Sequence, residues 1–212
     1  GIILQQAGGQ TGAEQAYIKT LMADSLHANA WINLGTLLGR QGRMAEAVEA
    51  LGRARALKPD DTQVRYNYGL ACQKLGRTGD AVQAYERVLE DASGHVDAAL
   101  NLGALYTDLG YSAETAAVYH RALRENPRAY RLAYNLGVLR ERLGASDQAI
   151  EAYLQAAESD DERGAYALFR AAELYRQVGR ISAAREAYSR FLDRWTGSER
   201  QRMVAEEILD SL

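Results

Sequence analysis

Apolar positions along the chain fall at helical spacing, and the spacing repeats. Trp31, Leu34, Gly35 and Leu38 stand at i, i+3, i+4 and i+7, one face of a 3.6-residue helix. After Gly42 a second stripe runs through Ala47, Val48, Leu51 and Ala54. Both stripes return with a period of 34 residues, marked by Gly35, Gly69, Gly103 and Gly137. A second series, Gly8, Gly42, Gly76, Gly110, Gly144 and Gly179, keeps that spacing with one slip to 35. Small or aliphatic residues recur at Ala13, Ala47, Ala81, Thr115, Ala149 and Ala184. A large residue follows four later, at Tyr17, Leu51, Tyr85, Tyr119, Tyr153 and Tyr188. The pattern predicts an all-α chain of short antiparallel helix pairs. Gly42 and its equivalents sit just past a helix end, where a positive φ is cheap for glycine. Gly35 lies inside its helix at a cost of about 1 kcal/mol relative to alanine. Its recurrence predicts a neighbouring helix packed too closely for a Cβ.

These residues resemble the tetratricopeptide repeat. Trp31, Leu34, Gly35, Ala47, Leu51, Ala54 and Pro59 follow its signature order and length. The resemblance implies a right-handed superhelical solenoid with repeats at 28–61, 62–95, 96–129, 130–164 and 165–197. Residues 1–27 fit the end of a first helix and a complete second one, which predicts a partial repeat and a fragment of a longer protein. Residues 198–212 leave the signature. Val204, Ile208 and Leu212 form a stripe expected to cover the last repeat as a terminal helix. Together they make one solenoid domain over 1–212. Departures are local: Thr115 for alanine, Ala172 for the helix glycine, Phe191 in a small-residue column and Ser93 where proline is common.

In this family the first helix of each pair lines the inner wall, and the residue two before the helix glycine faces the groove. Here that residue is Asn33, Asn67, Asn101 and Asn135, then Arg170. A primary amide carries two donors and an acceptor, so it can pair with both N–H and C=O of an extended peptide. A similar asparagine ladder lines the superhelix of O-linked N-acetylglucosamine transferases. The bland alternative is that these asparagines serve packing between repeats. One residue earlier stand Ile32, Tyr66, Leu100, Tyr134 and Phe169, a partly apolar track of which about half is expected to pack rather than bind. Arg131, Arg142, Arg170 and Arg176 gather toward the C-terminal end with Glu141 and Glu173 among them, which predicts a preference for acidic groups there. A carboxylate clamp of the chaperone type is not expected, because Ile32 and Thr36 occupy the positions of its lysine and asparagine. The candidate peptide-binding set is therefore Asn33, Asn67, Asn101, Asn135, Tyr66, Tyr134, Arg131 and Arg170.

Composition changes this picture little. The formal net charge of -3 offers no bulk footprint for nucleic acid or anionic lipid. No apolar run approaches the ~18 residues of a membrane span. The single cysteine, Cys72, excludes an intrachain disulfide and sits in an apolar column, so it is expected in the core. His27 and His95 share a loop slot two repeats apart, too far to share a metal if helices pack at ~8–10 Å. Gly8-Gly9-Gln10-Thr11-Gly12 lacks the Gly-Lys-Ser/Thr ending of a phosphate loop and reads as a turn. Asp160, Asp161 and Glu162 read as a solvated connection. No catalytic spacing, metal site or cofactor motif emerges. The reading is a non-catalytic module binding an extended peptide or partner segment in its groove. Two alternatives stand beside it: the substrate-targeting arm of a larger enzyme such as a glycosyltransferase, and a scaffold of a bacterial envelope or secretion assembly. Compartment, cytoplasm or periplasm, and oligomeric state stay open.

Overall fold

The computed structural model describes residues 10–212, and everything in them that is regular is α-helix. Gly8 and Gly9 of the expected turn, and the first nine residues of the partial repeat, lie outside the described residues. Two compact units divide the chain, the first ending at Leu105 and the second beginning at Tyr106.

The first unit holds α1 (Gln10–Ala23), α2 (Ala28–Arg40), α3 (Met44–Leu57), α4 (Thr62–Lys74), α5 (Thr78–Asp91) and most of α6 (Val96–Asp108). Helices α2 and α3 form one hairpin, α4 and α5 the next. Each hairpin turns on a glycine with φ +80, Gly42 and Gly76. At the first turn Arg43 N–H reaches back to Leu38 C=O at 3.0 Å and Gly42 N–H to Gly39 C=O at 3.2 Å. This double bond satisfies carbonyls that the helix end would leave orphaned. First helices begin at side-chain caps: Asp61 Oδ1 accepts from Val64 N–H, and the Nδ1 atoms of His27 and His95 accept from Ala30 and Ala98 N–H, both at 3.2 Å. The two histidines of the loop slot are thus helix caps. Leu37, Ala47, Leu51, Val64, Cys72, Tyr85 and Val88 fill the core, and Cys72 is where its apolar column predicts. Burying each large apolar side chain stabilises the fold by about 1.5–3 kcal/mol.

The second unit continues with α7 (Ser112–Glu125), α8 (Tyr130–Arg142), α9 (Ser146–Ala156), α10 (Glu162–Gln177), α11 (Ile181–Arg194) and α12 (Glu199–Ser211). Gly110, Gly144 and Gly179 repeat the positive-φ turn. Thr115 is fully buried, and its hydroxyl is satisfied inside its own helix by Tyr111 C=O at 2.9 Å, so the polar substitution leaves no orphan. The one slip in period has a structural origin. Helix α10 starts at Glu162, three residues before the frame expected at 165, and is longer than the other first helices. Asp161 is not simply solvated: its Oδ1 accepts from Gly164 N–H at 3.0 Å and caps α10. Arg194 from α11 donates to Ala157 C=O at 2.8 Å and to Ser159 C=O, tying down the connection in front of that cap. Phe191, in its small-residue column, packs on Phe169 and Trp195 with ring centroids 5.2 and 5.0 Å away. Helix α12 covers α11, but the expected stripe is rotated. Ala205 is its buried residue, Ile208 and Leu212 are half-buried, and Val204 lies exposed. Arg202 accounts for part of the rotation, donating to Leu192 and Trp195 carbonyls at 3.0 Å and so joining the C-terminus of α11 to α12.

Candidate functional site

In the first unit the ladder stands on α2, α4 and α6. Asn33 and Asn67 are half-buried, and Asn67 Oδ1 accepts from Gln63 Nε2 at 2.9 Å, one turn earlier on α4. Asn101 is more engaged. Its Nδ2 donates to Tyr66 Oη at 3.3 Å and to Tyr85 Oη at 3.4 Å. Both are long contacts near the limit for such bonds. Tyr85 Oη in turn donates to Gln73 Oε1 at 2.8 Å. Burial, the dominant cause, together with the neighbouring Tyr66, pushes the Tyr85 phenol well above its ordinary value, so it stays a neutral donor. Tyr66 packs between Tyr85 and His95, ring centroids 5.8 and 4.9 Å away, with its side chain half-buried. Leu100 is buried, so the apolar track anticipated beside the amides is interrupted there.

In the second unit Asn135 is exposed on α8 and hydrogen-bonds the Tyr119 hydroxyl, whose pKa burial raises and that bond partly lowers. Asn101 and Asn135 therefore meet a tyrosine sixteen positions earlier, Tyr85 and Tyr119, on the second helix of the preceding hairpin. Tyr134 is half-buried against Tyr153 at 5.4 Å and Tyr166 at 6.3 Å. Beside it lies a charged knot. Glu141 Oε2 accepts from Tyr153 Oη at 2.8 Å and from Arg170 Nη2 at 2.6 Å, and the Arg170 guanidinium lies 5.8 Å from the Tyr153 ring centroid. Burial works against the Arg170 charge, but the bond to Glu141 and the Tyr153 phenol outweigh it and hold the guanidinium above its ordinary pKa. Arg131 is exposed on the first turn of α8. Arg176 pairs with Glu173 at 3.4 Å, and Tyr188 Oη also donates to Glu173.

Sequence reasoning placed the amides and aromatics on the first helices but missed this second set of polar partners. Tyr85, Tyr119, Tyr153 and Tyr188 were legible as a core column, yet each spends its hydroxyl on a first-helix polar side chain or a ladder amide. The signal was present in the residue type, since a column that accepts Leu51 but prefers tyrosine has a use for the hydroxyl. Pairing of Arg170 with Glu141, one repeat earlier, was visible only as two charges in one neighbourhood.

Among the described residues no group of three or more His, Cys, Asp or Glu side chains is placed to hold a metal ion, and no helix is long and apolar enough to cross a membrane. A model of the tetratricopeptide repeat matches at residues 1–62, 32–95, 66–114, 108–166 and 146–199. The chain belongs to the tetratricopeptide repeat family. Among solved structures, tetratricopeptide neighbours include YrrB, described as having an unusual peptide-binding site, at a TM-score of 0.68 and 19% identity over 94% of this chain and 100% of that one. The PilF protein of Pseudomonas aeruginosa superposes with a TM-score of 0.69 at 19% identity, covering 100% of this chain and 94% of that one. MamA gives 0.68 at 24% identity over 73% of this chain and 91% of its own. At these identities the likeness speaks for the fold. No curated protein matches the chain.

Proposed function

We propose that this chain is a non-catalytic interaction module that holds an extended peptide segment along the first-helix wall of each unit. Tetratricopeptide repeat proteins are typically protein-interaction modules, and YrrB is one whose structure carries a peptide-binding site. The observation that carries the reading is the state of the ladder amides. Asn33 is half-buried with no hydrogen-bond partner among the described residues, and Asn135 is exposed while engaging a single phenol. A primary amide has capacity for more bonds than that, so each retains donors or acceptors for a peptide backbone. Asn67 keeps its Nδ2 donors, because only its oxygen is occupied by Gln63. Asn101, with Nδ2 on two phenols, contributes through its Oδ1 acceptor.

The aromatic and charged members divide the remaining work. Tyr66 and Tyr134, each half-buried beside two other rings, offer the exposed part of their side chains to apolar groups of the bound segment. Arg131 stands exposed on the first turn of α8, where an acidic side chain of the segment can approach it. Arg170 is already neutralised by Glu141, so it is a weaker anion contact than its charge alone implies and instead holds Tyr153 and Glu141 in place beside Tyr134.

The experiment is a selection from a random peptide library displayed on phage against the whole chain, followed by synthesis of the recovered peptide with N-methylated backbone amides. Backbone capture predicts that peptides are recovered and that methylation at two or more positions abolishes binding. No recovered peptide, or a peptide whose affinity ignores methylation, overturns the reading.

A further inference from the structure

On the second unit, away from the ladder, α7, α8 and α9 enclose a cleft of about 310 Å³. His120, Leu136, Arg140, Glu151 and Gln155 are among its walls. Arg140 follows Asn135 by five residues on α8, which at ~100° per residue turns it by about 140° from the ladder face. The cleft and the ladder are therefore separate surfaces of one helix.

The polar groups of the cleft are unevenly used. Arg140 Nη2 donates to His120 Nε2 at 3.1 Å. A guanidinium has no acceptor, so that nitrogen of His120 must be the unprotonated one. Burial, and then the Arg140 charge, hold His120 below its ordinary pKa and keep it neutral at pH 7. Arg140 Nε is buried and has no hydrogen-bond partner among the described residues. A buried, unmatched N–H on a cation is costly, so the guanidinium gains when it turns to meet an anionic oxygen entering the cleft. Gln155 is anchored through Nε2 to Pro127 C=O at 3.1 Å, which steadies that wall. Glu151 is exposed at the rim.

We infer that this cleft is a second binding site, for the carboxylate side chain of an acidic residue in a partner's peptide segment. Three observations select that chemistry. The volume lies at the lower end of ligand pockets and suits one side chain with its peptide unit. The Arg140 fork, held by neutral His120, presents N–H donors to a planar carboxylate. The charges acting on His120, those of Arg140, Glu151 and Arg124, leave one net positive charge, which matches a single carboxylate better than a phosphate dianion, while Glu151 can accept from the N–H of the peptide that bears the acid. The site goes beyond the groove reading and does not depend on it.

The test is a titration of the whole chain with N-acetyl-glutamate N-methylamide, followed by NMR at the Arg140 Nε–H and His120 ring resonances, with the glutamine analogue as uncharged control. Saturating shifts at both positions in the millimolar range, the strength of one charge-assisted contact, are expected with the glutamate analogue only. Arg140→Gln abolishes the His120 shift in a chain that keeps its helical circular dichroism. Asn135→Ala leaves both shifts in place. If Arg140→Gln does not fold, Glu151→Gln decides: removing a like charge from the exposed rim tightens binding by about two- to fivefold. Equal shifts with the two analogues, no shift at Arg140, or an affinity indifferent to Glu151→Gln overturn the site.

Discussion

A Cβ placed on Gly137 would lie 2.7 Å from Cδ1 and Cε1 of Tyr153. The glycine on α8 and the ring on α9 are in direct apposition, and Gly35 meets Leu51 and Gly69 meets Tyr85 in the same way, at 2.6 and 2.9 Å. This contact sets how closely the two helices of a hairpin approach. Gly137→Ala should therefore be destabilising although alanine is the better helix former. Overpacking costs about 1–3 kcal/mol and helix propensity returns at most about 1, for a net loss near 1–2 kcal/mol. Gly39→Ala, whose Cβ would meet Ala47 Cβ at 4.0 Å, should be neutral or stabilising. Urea unfolding of both variants checks the pair. Equal stability of Gly137→Ala and wild type would mean that the hairpin is not held by this contact.

The cap at His95 makes a different prediction. Its Nδ1 accepts from Ala98 N–H while its ring lies against Tyr66. His95→Ala loses both and should cost about 1–2 kcal/mol. His95→Asp restores the cap without the ring and should recover part of that loss, measured by thermal unfolding. A full recovery would show that the ring contact adds nothing.

Alkaline pH should be the fold's weak side. Tyr68, Tyr85, Tyr119, Tyr134 and Tyr153 all have phenols raised above the ordinary value, burial being the first cause in each. A folded-state pKa above the unfolded one gives stability that is complete below the unfolded pKa of about 10 and is lost as pH rises past it. The part of the stability that these phenols carry should thus be unchanged through neutral pH and fall above about pH 10. In the folded chain, tyrosinate absorbance should lag well behind that of the unfolded chain at the same pH. Coincident titration of folded and unfolded chains would contradict the burial of these hydroxyls.

Gly144 tests the hairpin turn. Its φ of +72 belongs to the region that side chains with a Cβ disfavour. Gly144→Asn should cost less than Gly144→Val, because asparagine visits that region and a β-branched residue does not; Val should lose about 1–2 kcal/mol or more. Chemical denaturation ranks them, and the opposite order would remove the turn from the account.

Much of the fold was readable because its determinants are periodic. Glycine columns announced both the hairpin turns and the close approach of Gly35, Gly69 and Gly137, since few residue types tolerate either place. The slip near 160 was readable only as a number. What accommodates it is the early cap at Asp161 on Gly164 N–H, together with the Arg194 grip on the carbonyls of Ala157 and Ser159, which joins residues more than thirty positions apart. The rotation of α12 escaped for a similar reason. An amphipathic stripe predicts which residues are apolar, while the hydrogen bonds of Arg202 decide how the helix is turned. At the candidate site the ladder was legible by position alone. How much of each amide is spent on a phenol depends on side-chain geometry between repeats, which spacing does not encode.

The central claim is that the ladder amides grip peptide backbone. Its most direct measurement is the affinity of a library-selected peptide, by titration calorimetry, for wild type and for the Asn67→Ala, Asn101→Ala double variant of the first unit, with Tyr85→Phe as companion. Losing two amides should weaken binding about 10- to 100-fold, at about 0.5–1.5 kcal/mol per hydrogen bond. Tyr85→Phe, which removes a phenol partner and spares the amide, should leave affinity within a factor of about two. Unchanged affinity in the folded double variant would contradict the claim and assign these asparagines to packing between repeats.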